Sequence, residues 1–296
     1  MITRRRLLQT LAAGGAGMLS LGGYAVAIEP HHRLSIARYD LELPRWPVGA
    51  KPLTAALIAD LHAGDPWMSV ERIEEIVAAT NAVGADIVLM LGDYVGTHRF
   101  RSSQMDPRVW ARPFADLKSP LGTWAILGNH DYWWEGGPEP VIRALRTSGI
   151  EVLLNRGVKI DRDGHRFWLA GTESTLVHRM GEGRFVGRAD VDAAHAAIDD
   201  DAPILHLAHE PAFIRSMPRR VALTLSGHTH GGQVKVPFFG PPLAASHPDL
   251  KWARGHYVED GRHLLVSSGL GCSILPVRFM VPPEITVARV TSPAIA

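Results

Sequence analysis

Residues 221–233 read VALTLSGHTHGGQ. The opening run, Val221 to Leu225, is short, apolar and partly β-branched, which marks a buried strand rather than a helix. That strand runs directly into His228 and His230, and then into Gly231 and Gly232. Two imidazoles at the end of a buried strand cost free energy unless something pairs with them. The glycines remove side chains from the same place. The rest of the sequence shows what the partner is.

The same device recurs upstream. The apolar run Leu53–Ala59 ends in Asp60-Leu61-His62, and Asp86–Leu91 ends in Gly92-Asp93. Thr123–Leu127 ends in Gly128-Asn129-His130-Asp131, and Pro203–Leu207 leads to His209-Glu210-Pro211. Five apolar runs thus deliver Asp, Asn or His at their C-terminal ends. In sheets flanked by helices that edge is where ligands bind. A spacing of two puts Asp60 and His62 on one side of an extended chain, and His228 and His230 likewise. Together these residues offer three carboxylate or amide oxygens (Asp60, Asp93, Asn129) and four imidazoles (His62, His209, His228, His230). Hard oxygen donors mixed with imidazole suit Mn, Fe or Zn. The single cysteine, Cys272, excludes a disulfide within the chain and a thiolate-rich structural zinc site. Seven ligands exceed one tetrahedral metal and fit two metals that share a carboxylate.

Between the strands, Ser69 caps a helix whose apolar residues Ile73, Ile76 and Val77 fall at helical spacing, with Gly84 as its stop. A second helix is expected from Pro138 at its first position to Gly149 just past its end, and a third over Asp190–Asp200. Short helical sequence lies between Pro107 and Pro113. Further strands are expected at Leu34–Leu43, Glu151–Leu154, Val158–Asp161, Arg166–Leu169, His263–Ser267 and Glu284–Val290. Strand–helix alternation followed by strand-rich sequence implies two sheets face to face with helices outside.

The ordered blocks Asp60-x-His62, Gly92-Asp93, Gly128-Asn129-His130-Asp131, His209 and Gly227-His228-Thr229-His230 resemble those of the calcineurin-like metallophosphoesterases. The resemblance spans about residues 50–290. Ser268-Gly269-Leu270-Gly271, Pro276-Val277-Arg278-Phe279 and Pro282-Pro283-Glu284 are similar to the bacterial branch with twin-arginine signals, which includes phosphodiesterases. The resemblance implies a four-layer α/β/β/α sandwich and two divalent or trivalent transition metal ions. It gives Asp60, His62 and His230 to the first metal and Asn129, His209 and His228 to the second, with Asp93 as the bridge. His130 would face the phosphate without binding metal, and Asp131 would orient it. The implied reaction is phosphodiester hydrolysis by a water activated between the metals. Hydrolysis of a phosphomonoester or of a lipid or sugar-nucleotide pyrophosphate, and metal binding without catalysis, are the alternatives.

Residues 1–27 read as an address. Arg4-Arg5-Arg6 precede a Gly/Ala-rich apolar run and the small residues Ala25-Val26-Ala27. Two readings stand: a cleaved signal for the twin-arginine export machinery, or a retained anchor. Residues 28–296 then form the catalytic domain, in the periplasm or cell envelope. A formal net charge of +1 gives no electrostatic case for nucleic acid or for an anionic membrane surface. The expected substrate is a small-molecule or lipid phosphoester. Membrane association would run through the N-terminus or through the apolar loops Tyr132–Trp134 and Pro237–Leu243, which otherwise pack against the sandwich. His206, three residues before His209, is expected on the opposite strand face; His98, His165, His178 and His195 are expected in loops or on helix surfaces.

Overall fold

The computed structural model describes residues 3–96, 104–238, 240–242 and 248–293; His98, Phe239 and Leu243 lie outside the described residues. Helix α1 (Arg4–Gly23), a π turn (Tyr24–Ile28) and the short α2 (Glu29–His32) precede the first strand. The strands then run β1 (Ser35–Glu42), β2 (Leu53–Ile58), β3 (Ile87–Met90), β4 (Thr123–Ala125), β5 (Glu151–Val152), β6 (Arg156–Arg162) and β7 (His165–Gly171). A small hairpin, β8 (His178–Gly181) and β9 (Arg184–Val186), follows. After it come β10 (Ile204–Leu207), β11 (Val221–Ser226), β12 (Gly255–Glu259), β13 (Arg262–Val266) and β14 (Glu284–Thr291).

Two six-stranded sheets result, ordered β1-β14-β2-β3-β4-β5 and β12-β13-β11-β10-β7-β6. Strands β2 to β5 are parallel in the first, and β7, β10, β11 and β13 in the second. Parallel pairing gathers the C-terminal ends of β2, β3, β4, β10 and β11, so five segments that are far apart in sequence arrive at one edge.

Alternation along the strands builds the layers. Leu57, Leu89 and Ile126 face the second sheet and pack with Leu205, Leu207, Leu223 and Leu225. Their neighbours Ala56, Ile58, Val88 and Met90 face outward onto α3 (Val70–Val83), α4 (Pro107–Ala111) and α6 (Glu139–Thr147), meeting Ile73, Trp110 and Leu145. Burying one leucine such as Leu89 stabilises by about 1.5–3 kcal/mol. The outer face of the second sheet is covered by α7 (Val191–His195) and 3-10 turns, with Trp168 and Ile204 packed against Met217 and Ile198. The sandwich is α/β/β/α, as the residue pattern implies.

Ser69 caps α3 by accepting from Arg72 N, and Gly84 ends it at φ 66°. For α6, Pro138 stands at the cap and Pro140 occupies the first turn, one step from the expected register. The helix expected over Asp190–Asp200 is shorter, ending at His195. Aspartates at a helix C-terminus oppose its dipole; Asp199 and Asp200 instead pair with Lys159, at 2.6 and 3.1 Å. Strand β12 and the β8–β9 hairpin are not apparent from apolar runs, because β12 alternates half-buried with exposed residues at the sheet edge.

His206 lies fully buried on β10, where Nδ1 is 3.0 Å from His195 Nε2 and Nε2 is 3.3 Å from Thr172 Oγ1. His195 is therefore part of the packing rather than a solvated surface residue, whereas His165 and His178 are exposed. Burial, and then the neighbouring His195, push the pKa of His206 down from 6.5 to about 3. The folded state binds this proton less readily than the unfolded chain does. The stability it carries is therefore complete above pH 6.5 and drains away as pH falls toward 3. The slope is at most about 1.4 kcal/mol per pH unit. Urea unfolding between pH 7 and 4.5 should show a shallower acid loss for His206→Asn than for wild type. Equal slopes would remove His206 from the acid sensitivity.

Candidate metal centre

At the shared edge the chain leaves the extended conformation. Asp60, His62, Asp93, His228 and His230 all have positive φ, between 47° and 71°. This corrects the reading of Asp60-x-His62 and His228-x-His230 as extended pairs: a left-handed backbone, not strand alternation, aims these side chains. Sparse backbone states cost about 1–3 kcal/mol each and collect at functional sites. Neighbouring segments hold them there. Asp60 N donates to Gly92 O and His62 N to Asp93 O, both at 3.0 Å.

Three of the imidazoles are fixed in the same way. Nδ1 of His62 meets Val95 O at 3.1 Å, that of His209 meets Leu91 O at 2.6 Å, and that of His230 meets Gly271 O at 3.3 Å. Donation from Nδ1 leaves Nε2 as a bare lone pair facing inward, the arrangement of metal-bound histidines. Nε2 of His62 and Nε2 of His230 stand 3.1 Å apart, two lone pairs face to face. Nε2 of His209 is buried without a hydrogen-bond partner, 3.2 Å from Asp93 Oδ2 but out of line with it. A cation resolves both contacts, so the donor set fits a metal.

Asp60, His62 and His230 offer ligand atoms within 4.8 Å of one another, and so do Asp93, His209 and His228, and also His62, Asp93 and His130. Asp93 Oδ2 lies between the groups, 3.6 Å from His62 Nε2 and 3.2 Å from His209 Nε2. Asn129, at the start of α5 (Asn129–Tyr132), puts Oδ1 3.1 Å from His228 Nδ1. All seven sequence-derived ligands therefore converge. Burial pushes Asp60 up to about 7, against the pull of His209. Burial also acts to raise Asp93, but His209 and His130 outweigh it and hold that carboxyl well below the usual range. Burial, and then His130, press His62 down to about 3, and burial followed by His62 lowers His230. His62 and His230 are thereby neutral beside ionised Asp93, as a metal requires. At His209, by contrast, burial is outweighed by Asp93, which holds the imidazole well above its ordinary value, with a proton that a bound metal would displace. Glycines admit the carboxylates: a Cβ on Gly269, at φ 67°, would stand 2.7 Å from Asp60 Cβ.

His130 sits at the mouth, with a side chain 14% exposed and Nε2 3.9 Å from Asp93 Oδ2. Its ring lies edge-on to His62 and beside Trp133, and Arg179 of β8 stacks on the outer side of Trp133 at 4.3 Å. Tyr132 and Trp133 also tie down loops, through Glu173 Oε1 and Val177 O. Trp133 belongs to the aromatic stretch that the sequence singles out, whereas Arg179 is a part of the mouth that the sequence alone does not.

Asp131 does something other than orient His130. Its carboxylate accepts from the amides of Gly128 and Asp93 at 2.9 Å on one oxygen, and from Tyr94 at 2.9 Å and Val95 at 3.3 Å on the other. It therefore shapes the loop that carries Asp93. Arg278 is likewise buried, and it gives its donors to the carbonyls of Gly271, Ser268 and Val281 rather than to a phosphate. Gly271 O also receives His230 Nδ1, so Arg278 supports a ligand from behind. Asp249 Oδ2 lies 3.6 Å from His228 Nε2 and was not apparent from sequence, since its segment is distant and polar. Cys272 is buried, and burial raises its thiol, which leaves it a packing residue.

Residues 53–232 match the model of the calcineurin-like phosphoesterases. The chain belongs to that family, and it is accordingly a metal-dependent phosphoester hydrolase. It is 30% identical to the phosphodiesterase YaeI of Escherichia coli over 97% of this chain and 98% of that one. It is 27% identical to the metallophosphoesterase YkuE of Bacillus subtilis over 98% of both chains. A dimetal phosphatase structure from Danio rerio is similar over 74% of this chain and 88% of its own, with 14% identity and a TM-score of 0.39.

Asp131→Asn turns one carboxylate oxygen into a donor that faces backbone amides. We expect metal content per chain and the thermal midpoint to fall together, by elemental analysis and scanning calorimetry, with about 1–3 kcal/mol lost. Intact metal content and midpoint with lowered turnover would return Asp131 to a partnership with His130.

Proposed function

We propose that the protein is an exported phosphodiesterase with two transition metal ions per chain. The observation that carries this reading is Asp93 Oδ2, set between two histidine-containing groups while His130 stands 3.9 Å away. Asp60, His62 and His230 would hold one ion, Asn129, His209 and His228 the other, and Asp93 both. Such ions supply Lewis acidity toward a phosphoryl oxygen and bring the pKa of water toward neutrality. Mn, Fe and Zn all suit this mixture of oxygen and imidazole.

The chain's own residues then position and protonate. His130 reaches into the mouth, where its imidazole meets the phosphate and serves the leaving oxygen or the charge that develops in the transition state. Trp133 and Arg179 brace its ring from the side. Arg278 spends its donors on backbone carbonyls, so it supports the site from behind and makes no hydrogen bond to the phosphate itself. The likeness to a phosphodiesterase over nearly the whole chain supports the choice of a diester. Arg4-Arg5-Arg6 ahead of an apolar run supports export by the twin-arginine route, which carries proteins already folded around their metals.

His130→Ala tests the reading. Metal content and folding should stay near wild type. Turnover of bis(4-nitrophenyl) phosphate should fall by roughly a hundredfold or more, the scale of a lost acid. Alkyl leaving groups should suffer more than nitrophenolate if His130 is the acid, and equally if it stabilises charge. Loss of metal in the variant would make His130 a ligand. A fully metal-loaded wild type that hydrolyses no phosphate ester would leave a metal-binding protein.

A further inference from the structure

Most of the large apolar side chains exposed among the described residues fall in three segments, 18–28, 236–238 and 274–280. Leu19 on α1 is 80% exposed, Ile274 is 74% exposed, and Phe238 is fully exposed. Val26, Ile28 and Met280 are exposed as well. These residues come from three segments, and backbone contacts join the segments into one surface. Arg278 N donates to Ala25 O at 2.9 Å. Met280 N and Val281 N donate to the buried Glu29 carboxylate at 3.0 and 2.7 Å. Phe279 N and Lys235 N pair with Gln233 O and Phe279 O, and the Gln233 side chain donates to Leu275 O and Val277 O. Gln233 stands three residues beyond the ligand His230, so this surface begins where the metal centre ends.

The N-terminal segment is built into the fold rather than appended to it. Tyr24 to Ile28 form a π turn with Ala25 buried, and Tyr24 meets Phe279 edge-on. A peptidase takes its substrate extended, whereas Ala25-Val26-Ala27 is coiled and in part covered. Helix α1 runs directly into this turn, and its described side chains are almost all exposed. An unsupported helix of this kind is marginal in water. No described helix is long and apolar enough to cross a membrane. Residues 1–28 contain three arginines and no acidic residue, and Lys235 adds an exposed cation between Phe238 and Gln233.

We propose that this surface, α1 together with the loops 236–238 and 274–280, rests on a phospholipid bilayer. The apolar side chains enter the headgroup–acyl boundary, and Arg4, Arg5 and Lys235 meet anionic headgroups. The metal centre is thereby held at the membrane surface. The inference stands apart from the choice of phosphodiester as substrate.

The test is flotation of the full-length, metal-loaded protein with vesicles of phosphatidylglycerol and phosphatidylethanolamine, and with vesicles of phosphatidylcholine alone. The protein should float with the anionic vesicles and much less with the neutral ones. The double substitution Phe238→Asp with Ile274→Asp should lower the bound fraction by about tenfold or more, since both side chains would leave the lipid. Metal content and thermal midpoint should remain those of wild type, which reports folding even if no phosphate ester is turned over. Leu19→Asp with Val26→Asp should weaken binding independently of the loops. A wild type that stays at the bottom of the gradient overturns the proposal, as does a loop variant that floats unchanged. A dimer in size-exclusion chromatography that the same substitutions split would assign the surface to a second copy of the chain.

Discussion

The structure is organised around a concentration of like groups that have no reason to meet without a cation. Asp60 and Asp93 are both buried, His62 and His230 turn bare Nε2 atoms toward them, and His209 sets its Nε2 beside Asp93. Two lone pairs 3.1 Å apart, on His62 and His230, repel in a medium of low dielectric. The fold accepts this arrangement along with five candidate ligand residues in left-handed backbone. The local cost is recovered when metal binds, because ligand affinity becomes folding free energy.

Much of the remaining architecture holds those groups in place. Backbone carbonyls of Leu91, Val95 and Gly271 fix the imidazole tautomers, and glycines let Gly227 and Gly269 approach Asp60. Asp131 and Arg278 are buried charges of opposite sign with parallel tasks. Asp131 gathers the amides around Asp93, and Arg278 gathers the carbonyls behind His230. Both carry charge where the chain must turn sharply and its own groups would otherwise lack partners. The apolar rim begins beyond this shell, at Gln233, so the loops that position a ligand also present the exposed surface.

The candidate ligands were legible in the sequence because each follows a short apolar run, and parallel sheets collect such ends at one edge. All seven of them converge, and the strands of both sheets, β12 excepted, fall close to their expected places. The sequence by itself therefore determined the layers and the donor set, since both depend on local pattern: alternation, apolar runs and ligand chemistry. Tertiary structure decided what depends on contacts between distant segments. Nothing near Asp131 in sequence reveals that four amides from two loops meet its carboxylate, and nothing near Arg278 reveals the carbonyls from 268, 271 and 281 that surround it. The left-handed backbone at Asp60 and His62 likewise follows from neighbours at 92 and 93 that override the extended preference of the run before them. Local pattern fixes which groups reach an edge; only the packed chain fixes which lone pairs, amides and carbonyls each one faces.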